Sequence, residues 1–137
     1  MKFDTKKLPD QKNCSISLIG LGYVGLPLAV TFAKVDKCKL TGFPLKRKVV
    51  GFDIKKKRIE ELKTGFDSTN EILKSEFKGI KNIIFTDKVE YLNDVDVFII
   101  TVPTPIDIYK KPDLNFLKMA CQTIGTAMKK SISKFSP

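Results

Sequence analysis

A chain of 137 residues with 42% hydrophobic content is long enough for one domain with a real core, and its apolar runs are too short to span a bilayer. The formal net charge of +10 favours anionic partners. However, the lysines are spread along the whole chain without an RNA-binding or zinc-finger signature, so solubilising lysine is at least as good a reading as a binding patch.

Met1 to Asn13 reads as a polar lead-in without the apolar core of a signal peptide, so a cytoplasmic protein is expected, with one domain over residues 14–137. Ser15 to Ile19 reads as the first strand and Tyr23 to Lys34 as the first helix. Between them, Gly20, Gly22 and Gly25 fit G-x-G-x-x-G with a strand before and a helix after, the context that gives the motif weight. Gly20 allows the tight turn, Gly22 lets a pyrophosphate approach the backbone, and Gly25 lets the helix lie close on the sheet. The helix aims free N–H groups and its positive dipole end at the phosphates. A glycine turn with nothing bound is the competing reading of the glycines alone.

Val35 to Lys48 is a long basic connection. Val49 to Asp53 reads as the second strand with an acid at its tip, and Ile54 to Thr64 as a helix stopped by Gly65. Ser68 to Glu71 fits a capping box, with a short helix running to about Phe77. Asn82 to Phe85 reads as a third strand. Val95 to Val102, nearly all apolar, reads as a central parallel strand buried on both faces. Asp113 is the N-cap expected for the last helix, with Leu114, Leu117, Cys121, Ile124 and Met128 along its buried face. The order predicts an α/β, Rossmann-like doubly wound parallel sheet, 3-2-1-4, truncated after about four strands.

Asp53 at the end of the second strand can accept both hydroxyls of an adenosine ribose, which favours NAD over NADP. Lys55, Lys56 and Lys57 read mostly as a solvated helix face, while Arg58, one turn beyond Asp53, is best placed to reach the adenosine or its phosphate. Thr104, in the Pro-Thr-Pro loop leaving the fourth strand, offers its hydroxyl and backbone to the cofactor. The chain has no histidine, and its three cysteines, Cys14, Cys38 and Cys121, are odd in number without C-x-x-C spacing, so neither a metal site nor a disulfide framework is expected.

Gly20 to Ala29, Gly51 to Ile54 with Arg58 and Gly65, and Val102 to Asp107 with Lys111 to Leu114 together resemble the N-terminal domain of the UDP-glucose/GDP-mannose dehydrogenases. The last segment looks like the branch acting on UDP-N-acetylhexosamines for surface polysaccharides. The resemblance implies an NAD-dependent, four-electron oxidation of a sugar C6 alcohol to a carboxylate, with a cysteine thiolate trapping the aldehyde. It implies contacts from Gly20, Gly22, Tyr23, Val24 and Gly25 to the pyrophosphate, from Asp53 and Arg58 to the adenosine side, and from Thr104 near the nicotinamide-side ribose. A UDP-sugar partner and a homodimer follow for the full-length form only. None of the three cysteines matches the family's nucleophile, so no catalytic residue is transferred. The connection Lys37 to Lys48 looks like an insertion, and the family would continue beyond the last helix, so this chain alone is expected to bind NAD without turnover. The reading from a different class is a stand-alone nucleotide-binding or regulatory module; a nucleic-acid-binding protein rests on charge alone.

Overall fold

The computed structural model describes residues 9, 10 and 12 to 133. Four short strands, β1 (Ile16–Ile19), β2 (Val49–Phe52), β3 (Ile83–Thr86) and β4 (Val97–Ile100), form one all-parallel sheet in the order β3-β2-β1-β4. Ile16 pairs with Val49 on one side and Val97 on the other, and Val49 pairs with Ile83. The expected order is therefore present. The helices are α1 (Gly25–Lys34), α2 (Lys56–Lys63), α3 (Lys74–Phe77) and α4 (Asn115–Ser133), with a 3₁₀ turn at Val89–Leu92 that the sequence reading did not include.

Side-chain alternation along the strands divides the core in two. Ile16, Leu18 and Val49 face one layer, where Leu26, Ala29 and Val30 of α1 and Ile59 and Leu62 of α2 cover them. Ile19, Val50 and Phe52 face the other, under Leu92 and the alanines Ala120 and Ala127 of α4. Ser17 falls on this second face and is fully buried; its hydroxyl donates to the Val50 carbonyl at 3.0 Å, so the polar group is not stranded. At the start of the sheet, the Ser15 N–H and hydroxyl both donate to Asp96 Oδ2 at 2.8 Å, tying β1 to β4.

Three expectations are corrected. β4 is an edge strand among the described residues, paired with β1 only, and no residue from Val97 to Ile100 is fully buried. The centre of the sheet is β1 and β2, buried at every position. Cys121 is exposed, because α4 meets the sheet through Ala120, Ile124 and Ala127. Small alanines let the helix lie close, and Cys121 lies about 100° further round. Leu114 and Met128, expected on the buried face, are also exposed. Finally, Ser68 does not start a capping box. α3 begins at Lys74, with Glu76 accepting the Leu73 N–H at 3.1 Å, and Asp67 gathers the N–H groups of the preceding turn.

The basic connection folds on itself. Lys37 bridges Pro44, the Cys38 N–H donates to the Phe43 carbonyl at 2.9 Å, and the Lys12 ammonium sits 4.1 Å from the centre of the Phe43 ring.

The glycine with the least room for a side chain lies where α1 follows β1. Gly20 adopts φ +98°, a conformation that side chains rarely accept. A Cβ on Gly25 would run into the Gly20 carbonyl and the Thr101 hydroxyl. That hydroxyl donates to the Gly20 carbonyl at 2.7 Å, so neither neighbour can give way freely. Gly25→Ala is therefore expected to cost at least about 3 kcal/mol of stability, the upper range for overpacking. Urea unfolding followed by circular dichroism measures this, and a loss below 1 kcal/mol would contradict the packing described.

Candidate functional site

The glycine turn lies at the carboxyl end of β1, between the ends of β2 and β4. Its middle residue, Leu21, is held from both sides. The Leu21 N–H donates to Asp53 Oδ2 at 2.8 Å, and the Leu21 carbonyl accepts from Arg58 Nε at 2.9 Å. The Leu21 side chain is fully buried beneath them. Asp53 Oδ1 accepts the Lys55 N–H at 2.9 Å, so this one carboxylate joins the glycine turn to the start of α2. Each of its oxygens retains a lone pair for a further donor.

Two clefts flank the turn. The first, about 230 Å³, is lined by Gly20, Gly22, Asp53 and Ile54 on one side and by Val102, Pro103, Phe116, Met119 and Thr123 on the other. The second is lined by Gly22, Tyr23, Val24, Thr101, Val102 and Pro103. Gly22 belongs to both. A Cβ built on it meets no heavy atom within 4 Å, so the backbone there is open to an approaching group. α1 begins at Gly25, immediately beyond; contrary to the expectation of free N–H groups, Leu26 and Leu28 donate to the Gly22 and Val24 carbonyls at 3.1 and 3.3 Å and Pro27 has no N–H, so what the first turn offers an anion is chiefly the positive end of the helix dipole. An apolar cleft, an open glycine backbone, a helix N-terminus and a carboxylate at the strand tip fit a dinucleotide.

The structure thus brings Gly20, Gly22, Tyr23, Val24, Gly25 and Asp53 together. It places two expected residues elsewhere. Thr104 is exposed beyond Pro103 and lines neither cleft. Arg58 is 8% exposed and points inward. Besides Leu21, it donates from Nη1 to Ser68 at 3.3 Å and from Nη2 to Thr69 at 3.2 Å, and Nη1 pairs with Asp67 Oδ1 at 2.7 Å. Only one of its five N–H groups is left over. The wall from α4, formed by Phe116, Met119 and Thr123, was missed from the sequence, where the expected stripe shared Ile124 with the packed face but placed Leu114, Cys121 and Met128 there as well.

Asp67 is the most enclosed ionised group at the site, with a side chain that has no exposed surface. Oδ1 accepts from the Thr69 N–H and hydroxyl at 3.0 and 2.7 Å, and Oδ2 from the N–H groups of Glu71 and Ile72 at 2.8 and 2.9 Å. Burial by itself raises the pKa of this carboxyl. The donors from Thr69, Arg58 and the backbone outweigh burial and bring it from 3.8 down to about 2. A depressed carboxylate pKa stabilises the fold above the unfolded value, and that stability is lost as pH falls through the folded one, here between about pH 4 and 2. The contribution at neutral pH is on the order of 2 kcal/mol. Asp67→Asn is expected to lower stability at pH 7 and to flatten this acid limb in urea titrations. Parallel pH profiles for the two proteins would assign the acid loss to other groups.

Comparison with known proteins agrees with this geometry. The family model for the UDP-glucose/GDP-mannose dehydrogenase family, NAD binding domain, matches residues 14–134. The chain is 47% identical over 119 residues to UDP-N-acetyl-D-glucosamine 6-dehydrogenase of Pseudomonas aeruginosa, covering 87% of this chain and 26% of that protein. It is likewise 47% identical over 113 residues to the enzyme of the same name from Salmonella typhi, covering 82% of this chain and 24% of that protein. Among solved structures, UDP-glucose dehydrogenase from Pyrobaculum islandicum superposes with a TM-score of 0.71 at 26% identity, over 88% of this chain and 27% of that one. The chain spans about a quarter of the length of the curated relatives it matches. With the family model covering nearly the whole chain, and the glycine turn, the strand-tip acid and the cleft assembled as described, the chain belongs to the UDP-glucose/GDP-mannose dehydrogenase family, of which it carries the NAD binding domain.

Proposed function

We propose that this chain is the cofactor-binding part of an NAD-dependent UDP-sugar 6-dehydrogenase, acting on a UDP-N-acetylhexosamine or UDP-glucose for surface polysaccharide. The observation that carries it is the open backbone of Gly22 beside the Asp53 carboxylate in one apolar cleft. The relatives named for UDP-N-acetyl-D-glucosamine favour the N-acetylhexosamine.

In this reading the pyrophosphate lies over Gly20, Gly22, Tyr23, Val24 and Gly25, facing the N-terminus of α1. Asp53 takes the adenosine ribose hydroxyls, and the adenine lies in the apolar cleft between Ile54 and the α4 wall. Thr104 lies further out, towards the nicotinamide-side ribose. Bound NAD supplies the hydride acceptor for oxidation of the sugar alcohol. The residues of this chain bind and orient the cofactor; the sugar and the acid–base chemistry belong to the longer protein, for which a cytoplasmic homodimer is proposed. Among the described residues no helix is long and apolar enough to cross a membrane, and no group of three or more cysteine, aspartate or glutamate side chains could hold a metal ion.

Two measurements test the site. The parent chain is expected to bind NAD at least about tenfold more tightly than NADP, a difference of about 1.4 kcal/mol, because a 2′-phosphate would face the Asp53 carboxylate. Asp53→Ala should narrow that gap in calorimetric titration, and equal affinities in the parent would overturn the assignment. Gly22→Ala should weaken NAD binding by about tenfold or more, while the circular dichroism spectrum stays that of the parent, since its methyl group enters space left open for the ligand. Unchanged affinity would reduce the glycine motif to a turn.

A further inference from the structure

We propose that Asp67, which lines neither of the two clefts, is a positioning residue for the cofactor site, acting through Arg58 on the carbonyl of Leu21. The proposal rests on NAD as the ligand of the cleft.

The connection is continuous in hydrogen bonds. Asp67 Oδ1 holds Arg58 Nη1 at 2.7 Å, and Arg58 Nε holds the Leu21 carbonyl at 2.9 Å. Leu21 lies between Gly20 and Gly22, so its carbonyl direction sets the Leu21–Gly22 peptide plane. Turning that plane turns the Gly22 N–H, at the backbone shared by both clefts. Asp53 fixes the other side of Leu21 through its N–H. With both ends held, the open backbone is set before the ligand arrives, and binding need not bear the entropy of ordering it.

Asp67 suits this role for three reasons. Its side chain is fully buried, so the pair with Arg58 is little screened. Its second oxygen is held by the N–H groups of Glu71 and Ile72, so it cannot turn away from the arginine. Thr69 bonds both partners, donating to Asp67 Oδ1 at 2.7 Å and accepting from Arg58 Nη2 at 3.2 Å. Glu61 lies 3.8 Å from Nη1 and takes the Ser68 hydroxyl at 2.7 Å, which closes the outer side of the cluster. The turn after α2 thereby reaches the glycine turn after β1 without lining the cleft.

The test is a double-mutant cycle on NAD affinity, read together with amide exchange of the unliganded chain. Asp67→Asn and Arg58→Gln are each expected to weaken NAD binding about tenfold, and the double variant should be no weaker than Arg58→Gln alone. In the unliganded chain, exchange at the Leu21 amide, which is bonded to Asp53, should quicken at least about tenfold while the β3 amides hold, because local opening raises exchange locally and global destabilisation raises it throughout. Thr69→Val, at an exposed position, gives the same pattern at about two- to threefold and serves where the buried variants do not fold. Glu76→Gln breaks the neighbouring Lys34–Glu76 pair outside this connection and should leave NAD affinity as in the parent. Additive losses in the cycle, or unchanged Leu21 exchange in Asp67→Asn and Thr69→Val, would overturn the positioning role. A parent chain that fails to bind NAD would overturn the ligand assignment instead, and the exchange measurement would still decide whether Asp67 orders the turn.

Discussion

Leu21 is the residue on which the rest of the molecule converges. Its N–H is bound to Asp53 and its carbonyl to Arg58, while its side chain fills the core. A glycine-rich turn is costly to order, because glycine loses more backbone freedom than any other residue. Here two charged side chains from the following βα unit meet that cost with hydrogen bonds to ionised groups, which are stronger than neutral ones. The second strand and second helix thus hold the glycine turn as much as they build the sheet.

The same turn governs how close α1 comes to the sheet. Gly25 lies against the Gly20 carbonyl and the Thr101 hydroxyl, and Thr101 belongs to the chain leaving β4. Three strand ends therefore meet within one layer of contacts: β1 through Gly20, β2 through Asp53 and β4 through Thr101. Beside this junction the chain leaves the cleft open on one side and apolar on the other. An apolar wall with a few placed polar groups is the usual make-up of a cofactor site.

The charge pattern follows the same division. Lys55, Lys56 and Lys57 are exposed, but Arg58, next in sequence, is buried and paired. The difference is geometric: α2 packs through Ile59 and Leu62, and Arg58 shares their inner side. A planar guanidinium with five donors can satisfy a carbonyl, a carboxylate and two hydroxyls at once, which a lysine ammonium cannot. The net positive charge of the chain therefore says little about this arginine, whose charge is matched internally by Asp67.

The local signals were legible in the sequence. The glycine spacing after an apolar run, the acid at the tip of the second strand and the alternation of strands with helices were enough to specify the parallel sheet, its strand order and the place of the glycine turn between β1 and α1. These features depend on period, turn chemistry and the reach of one βα unit, which neighbouring residues settle among themselves. The tertiary structure alone decided the rest. It set β4 at the edge, because an apolar run shows that a strand is to be buried but not which neighbours will bury it. It turned Cys121 outward, because α4 has apolar residues on several sides and only close packing of Ala120 and Ala127 on Val50 and Phe52 chooses among them. It also drew Arg58 away from the cleft and onto Asp67, nine positions further along the chain. A charged side chain takes the partner that the fold brings within hydrogen-bond reach, and that distance exists only once the chain has folded.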